Sequence, residues 1–124
     1  MKSSHIGALL CALTATVILA GCSSENKYER EADRITRAVM ADDLTPVRND
    51  ISPQVQITRA QVAAASDELS QQGKLLSVKE VTPCAAGIHC FVLKFEKHTY
   101  DEELRMDDQG KVVAWRFKMA QTGT

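Results

Sequence analysis

Most of what usually announces a function is missing from this chain. It has no excess charge of one sign: 15 Lys and Arg stand against 16 Asp and Glu, a formal net charge of -1. That balance argues against nucleic acid as a partner. There is no Gly-rich phosphate loop, no nucleotide fingerprint, no paired His motif for a metal and no nucleophile motif, so familiar catalysis and cofactor chemistry are not expected. Cysteines are few and none form a C-x-x-C pair, which removes the usual thiol-exchange signature. Neither an internal repeat nor a low-complexity tract is present, and the length leaves room for one domain.

What is there begins at the N-terminus. Lys2 and His5 precede an apolar run from Ile6, which closes on Leu19-Ala20-Gly21-Cys22. A positive start, a short apolar segment and small residues before a cut make a secretory signal, too short and wrongly flanked for a membrane span. The closing four residues resemble the lipobox of bacterial lipoproteins. That resemblance implies diacylglycerol on the Cys22 thiol, cleavage between Gly21 and Cys22, and acylation of the new amine by a palmitate-type chain. Each buried methylene is worth about 0.8 kcal/mol, so two or three chains on one residue hold the protein on a membrane. In Gram-negative lipoproteins Asp after the acylated Cys favours the inner membrane. Ser23 stands there instead, so the expected location is the periplasmic face of the outer membrane.

The expected organisation is a signal over 1–21, a lipidated tether over 22–27, one domain over 28–119 and a tail over 120–124. Loss of Lys2 takes the mature chain to 14 basic against 16 acidic residues, a net charge of -2. Cys11 leaves with the signal and Cys22 carries lipid, so Cys84 and Cys90 remain as an even pair in an oxidising compartment. A disulfide between them would staple a hairpin across Ala-Ala-Gly-Ile-His. The alternative, zinc on Cys84, His89 and Cys90, suffers from adjacent ligands and lacks a fourth.

Within the domain, Tyr28, Ala32, Ile35 and Val39 recur at helical steps, predicting a first helix over about 25–42. Thr45 before Pro46 reads as an N-cap for a short second helix over 47–51. Thr58 and Gln61 fit a capping box for a third helix over about 59–72, stopped by Gly73. The period then changes to two. Phe91, Leu93 and Phe95, then Leu104 and Met106, then Val113, Trp115, Phe117 and Met119 alternate with polar or small residues, after a less regular strand over 75–82. Asp107-Asp108-Gln109-Gly110 reads as a hairpin turn.

One apolar sheet face needs a cover and the helices supply it, predicting an α+β class with N-terminal helices on one face of a curved four-stranded antiparallel sheet. This order, together with the pattern from Leu104 to Trp115, resembles the small cone domains of the cystatin-like, nuclear transport factor 2-like superfamily. Fold resemblance alone assigns no chemistry, because such domains host enzymes and ligandless modules alike.

The candidate pocket residues are Glu102, His98 and Tyr100. Tyr100 and Glu102 share the strand parity of Leu104, so burial could raise the Glu102 pKa into a working acid-base range. The competing expectation places Glu102 at the sheet rim in contact with water, His98 in a connecting turn, His89 exposed in the cysteine loop and Trp115 in the core. Lys27, Arg30, Arg34 and Arg37 stripe the first helix, interleaved with Glu29, Glu31 and Asp33, which reads as a solvated face rather than a lipid-binding one. The expected function is therefore a non-enzymatic, lipid-anchored accessory or binding module, without cofactor or metal, whose partners are the membrane and an envelope protein or small ligand. An interaction subunit or inhibitor of an envelope hydrolase is the second reading, and a small cone-pocket enzyme the third.

Overall fold

The computed structural model describes residues 26–121. The expected signal with Gly21, the expected lipidation position Cys22 and the last three residues of the expected tail lie outside the described residues. Among those described, no helix is long and apolar enough to cross a membrane.

Helix α1 spans Lys27–Met40 and starts at Asn26, whose Oδ1 accepts the Glu29 N–H at 2.8 Å. That bond satisfies one of the four donors a helix leaves unpaired at its start. Its buried stripe is Ala32, Ile35, Thr36 and Val39. The chain leaves through Asp42 in the left-handed region, at φ 53°, so the helix stops two residues short of the expected end. A 3₁₀ helix follows over Thr45–Asp50. Thr45 lies inside it and not at its cap: Leu44 holds the cap position, and the Thr45 N–H instead donates to Asp43 Oδ1 at 2.9 Å. Helix α2, Arg59–Ser70, has the expected capping box. Thr58 Oγ1 accepts from Gln61 N at 3.2 Å while Thr58 N donates to Gln61 Oε1 at 2.9 Å. Gly73, at φ 83°, turns the chain into the sheet; a Cβ there would sit 3.0 Å from Glu96 Cβ.

Strands β1 (Leu75–Val81), β2 (Ile88–Phe95), β3 (Thr99–Met106) and β4 (Val112–Met119) form an antiparallel meander in chain order. In the β3–β4 turn, Asp107 Oδ1 accepts from the N–H groups of Gln109 and Lys111, and Gly110 takes φ 77°. Alternation puts Phe91, Leu93, Phe95, Tyr100 and Leu104 on one face, where they are buried with Ile35, Val39 and Leu69. The opposite face carries Lys79, Lys94, Asp101, Glu103 and Arg116, and no element among the described residues covers it. Helices on one side of an open antiparallel sheet make this an α+β domain, as the period change implies.

Strand β4 departs from expectation. A register shift sets Arg105 opposite Ala114 but Met106 opposite Val112, so Val113 has no partner. This bulge hands the inward position to Val112, which is fully buried, and leaves Val113 half-buried. Trp115 and Phe117 point inward but are also only half-buried, and Met119 is exposed. The reason lies above them: α1 packs on β1 and β2, so the cover thins toward β4.

Candidate functional site

Glu102 is the residue the fold treats most unexpectedly. It stands on β3 between Phe91 of β2 and Phe117 of β4, and it is 0% exposed. The rim position expected for it is wrong, because α1 crosses the sheet directly over it. Thr36, also fully buried, presents Oγ1 at 3.1 Å from Glu102 Oε2 and 2.7 Å from the Ala32 carbonyl. One hydroxyl proton serves only one of these oxygens at a time. Both contacts are satisfied if Glu102 is neutral and donates to Thr36, which donates in turn to Ala32. Burial pushes the Glu102 pKa up to about 8, against which a hydrogen bond from Thr36 pulls down and to which the Asp33 charge adds. At neutral pH the group is mostly an acid, and its Oε1 has no hydrogen-bond partner.

The three candidate pocket residues do not converge. Residues two apart on a strand share a face but lie about 7 Å apart along it, far enough for different helices to claim them. Tyr100 is buried and its hydroxyl donates to Glu68 Oε1 of α2 at 3.0 Å. Burial, this bond and the Glu68 charge raise its pKa to about 12. His98 does sit in the connecting turn before β3, with Nδ1 2.6 Å from Gln72 Oε1 just beyond α2. Glu102 thus belongs to α1, and the other two fasten the far end of the sheet to α2.

A second polar cluster was not singled out by sequence. Asn26 Nδ2 donates to Glu80 Oε1 at 3.0 Å, Glu80 N donates to Glu29 Oε1 at 3.0 Å, and His89 Nδ1 lies 2.9 Å from Glu80 Oε2. The His89 ring stacks on Tyr28 at 3.8 Å between centroids. His89 is therefore a half-buried residue of β2 and not an exposed loop side chain. It pins the start of α1 to the hairpin closed by the Cys84–Cys90 disulfide, whose Cα atoms are 6.0 Å apart. A short-range signal existed in Tyr28 and Glu29 opening the helix, but their partners, His89 and Glu80, lie more than fifty residues on. No group of three or more His, Cys, Asp or Glu placed to hold a metal occurs among the described residues.

The basic stripe of α1 is largely tied down. Arg37 pairs with Asp33 at 3.0 Å, while Arg34 meets Asp50 at 2.9 Å and donates to the Pro46 carbonyl at 3.0 Å, fixing the 3₁₀ helix to α1. Glu31, next to this pair, has its pKa raised by burial first and by the Asp50 carboxylate second.

Several open clefts mark the surface of the described residues, and the one beside Trp115, about 270 Å³, lies between β4 and segment 55–57. Val39, Val62 and Ala65 line its helical side, Val55 and Ile57 one wall, Ala114 and Trp115 the other. Gln56 and Gln61 add polar groups to this otherwise aliphatic and aromatic lining, and the cleft is open to solvent. No family model, curated protein or solved structure matches the chain.

Proposed function

We propose that this protein is a lipid-anchored lipoprotein of the bacterial envelope, held at the periplasmic face of the outer membrane, and that it acts as a non-enzymatic accessory or binding module of cone type. The observation that carries the reading is Leu19-Ala20-Gly21-Cys22 behind a signal-like segment. Two further observations support it. The disulfide Cys84–Cys90 suits an oxidising compartment, and helix α1 is capped at Asn26, four positions after Cys22. A domain so placed would sit close to the lipid surface.

The binding role is favoured over catalysis by the separation of Glu102, His98 and Tyr100. A working acid must reach its substrate. Glu102 is sealed under α1, and the other two groups are committed to α2. Anchoring is tested by metabolic labelling with an alkyne fatty acid. Wild type takes up label and is processed, whereas Cys22→Ser accumulates as a larger, unlabelled precursor; equal labelling of both ends the proposal. The enzymatic alternative predicts that Glu102→Gln abolishes activity in the cell while the fold persists, and the binding reading predicts that function survives.

A further inference from the structure

The outer edge of β4 is closed at one end and open at the other. At the start, Ile51 bridges Val112 and the Ser52 N–H donates to the Val112 carbonyl at 2.9 Å. Beyond that point segment 53–57 makes no further bridge to β4, and among the described residues no strand follows β4 in the sheet. The inner register shows which groups are left over. Ala120 N donates to Thr99 O, so Thr99 and Ala120 form a hydrogen-bonded pair. In an antiparallel ladder such pairs alternate, and Asp101 with Lys118, Glu103 with Arg116 and Arg105 with Ala114 are the others. The main-chain groups of Trp115, Phe117 and Met119 therefore face the open edge. Their side chains lie on the half-covered inner face, and that of Trp115 lines the cleft.

Charge selects the occupant. On the outer face the register runs Lys79, Val92, Asp101, Lys118 and, next to it, Val81, Cys90, Glu103, Arg116. Strand β3 is acidic there and β4 basic, with Arg116 Nη2 2.6 Å from Glu103 Oε2. A further strand in this ladder is best matched when it is acidic. A second copy of β4 would bring Arg116 and Lys118 against the same cations, which disfavours self-pairing. We propose that the free edge of β4 is a docking strand for an extended acidic peptide segment of a partner protein, with apolar side chains entering the cleft and acidic ones facing Arg116 and Lys118. Edge addition of this kind takes affinity from main-chain bonds and specificity from alternate side chains. The inference rests on the binding-module reading and is independent of the lipid anchor.

Trp115 is the single tryptophan of the chain and reports on the site. The full chain in detergent micelles is titrated with a blocked eight-residue peptide alternating Glu and Val, and with its Lys–Val counterpart. The Glu–Val peptide should shift Trp115 emission to the blue and protect the amides of Trp115, Phe117 and Met119 from hydrogen exchange. The Lys–Val peptide should bind at least tenfold more weakly, and Lys118→Glu, alone or with Arg116→Glu, should narrow or reverse that preference. Lys118→Glu alone leaves the Arg116–Glu103 pair in place, so it serves if the double variant folds poorly. The proposal is overturned by equal binding of both peptides, by no protection at millimolar peptide, or by a dimer in which these amides are already protected. Neither reading's failure imitates the other's: an unlabelled but peptide-binding protein rejects the anchor, and a labelled protein deaf to both peptides rejects the docking edge.

Discussion

The two halves of the sheet obey the same alternation and end up in different states. On β2 and β3 every inward residue from Phe91 to Phe95 and from Tyr100 to Leu104 is buried, including a carboxyl group; on β4, Trp115 and Phe117 face the same way and stay half-exposed. Sequence pattern decides which face a residue occupies, but the depth of that face depends on what crosses above it. The region under α1 is dry enough to keep Glu102 neutral. Strand β4, at the margin, keeps an apolar surface available.

The largest effect that tests this contrast is truncation in the covered half. Leu93→Ala should cost about 3 to 5 kcal/mol, because the neighbouring core cannot collapse fully into the space. Trp115→Ala, despite losing a larger side chain, should cost only about 1 to 2 kcal/mol, since half of that ring is never withdrawn from water. Chemical denaturation of both variants checks the order, and a costlier Trp115→Ala would erase the distinction between the halves.

Glu102 sharpens the same comparison through pH. Its pKa is about 8 in the fold against an ordinary 4.5, so burial favours the protonated form. Below about pH 4 the group is neutral folded and unfolded and costs nothing extra. As pH rises from 4.5 through 8, the unfolded chain releases the proton first and stability falls, levelling off above 8. Glu102→Gln should therefore nearly match wild type near pH 4 and exceed it by on the order of 4 kcal/mol at pH 8. An equal gap at both pH values would mean that Glu102 does not titrate in this way.

Opening the disulfide should cost about 2 kcal/mol for so short a ring. Cys84→Ser with Cys90→Ser, melted beside wild type, reads it, and unreduced protein should show no alkylatable thiol at either position. The smallest effect expected is at the α2 start. Thr58→Ala should lose about 1 kcal/mol by leaving the Gln61 N–H without its cap.

Local rules were legible and contacts between distant segments were not. The Thr58–Gln61 capping box, the Asp107 turn and the alternation of β2 all depend on residues within a few positions of one another, and each appears where the sequence puts it. Thr45 failed as a cap because Asp43, two residues earlier, supplies the competing acceptor. Val112 replaced Val113 because a bulge is decided by pairing with β3, and period counting does not register it. The candidate trio was read correctly for face and wrongly for company. Parity placed Tyr100 and Glu102 together, whereas α1 and α2 separate them.

From the sequence alone come the signal-like segment before Cys22, the hairpin spacing of Cys84 and Cys90, the starts of α1 and α2 and the switch from a period near 3.6 to a period of two. Those features are carried by near neighbours in the chain, where sterics and backbone hydrogen bonding act without help. Only the tertiary structure decided that Glu102 is sealed against Thr36, that His89 holds Tyr28 and Glu80, and that β4 keeps an open edge with Trp115 lining a cleft. The physical reason is common to all three: burial and pairing are set by which helix lies over which strand, and that is fixed by contacts between residues far apart in the chain.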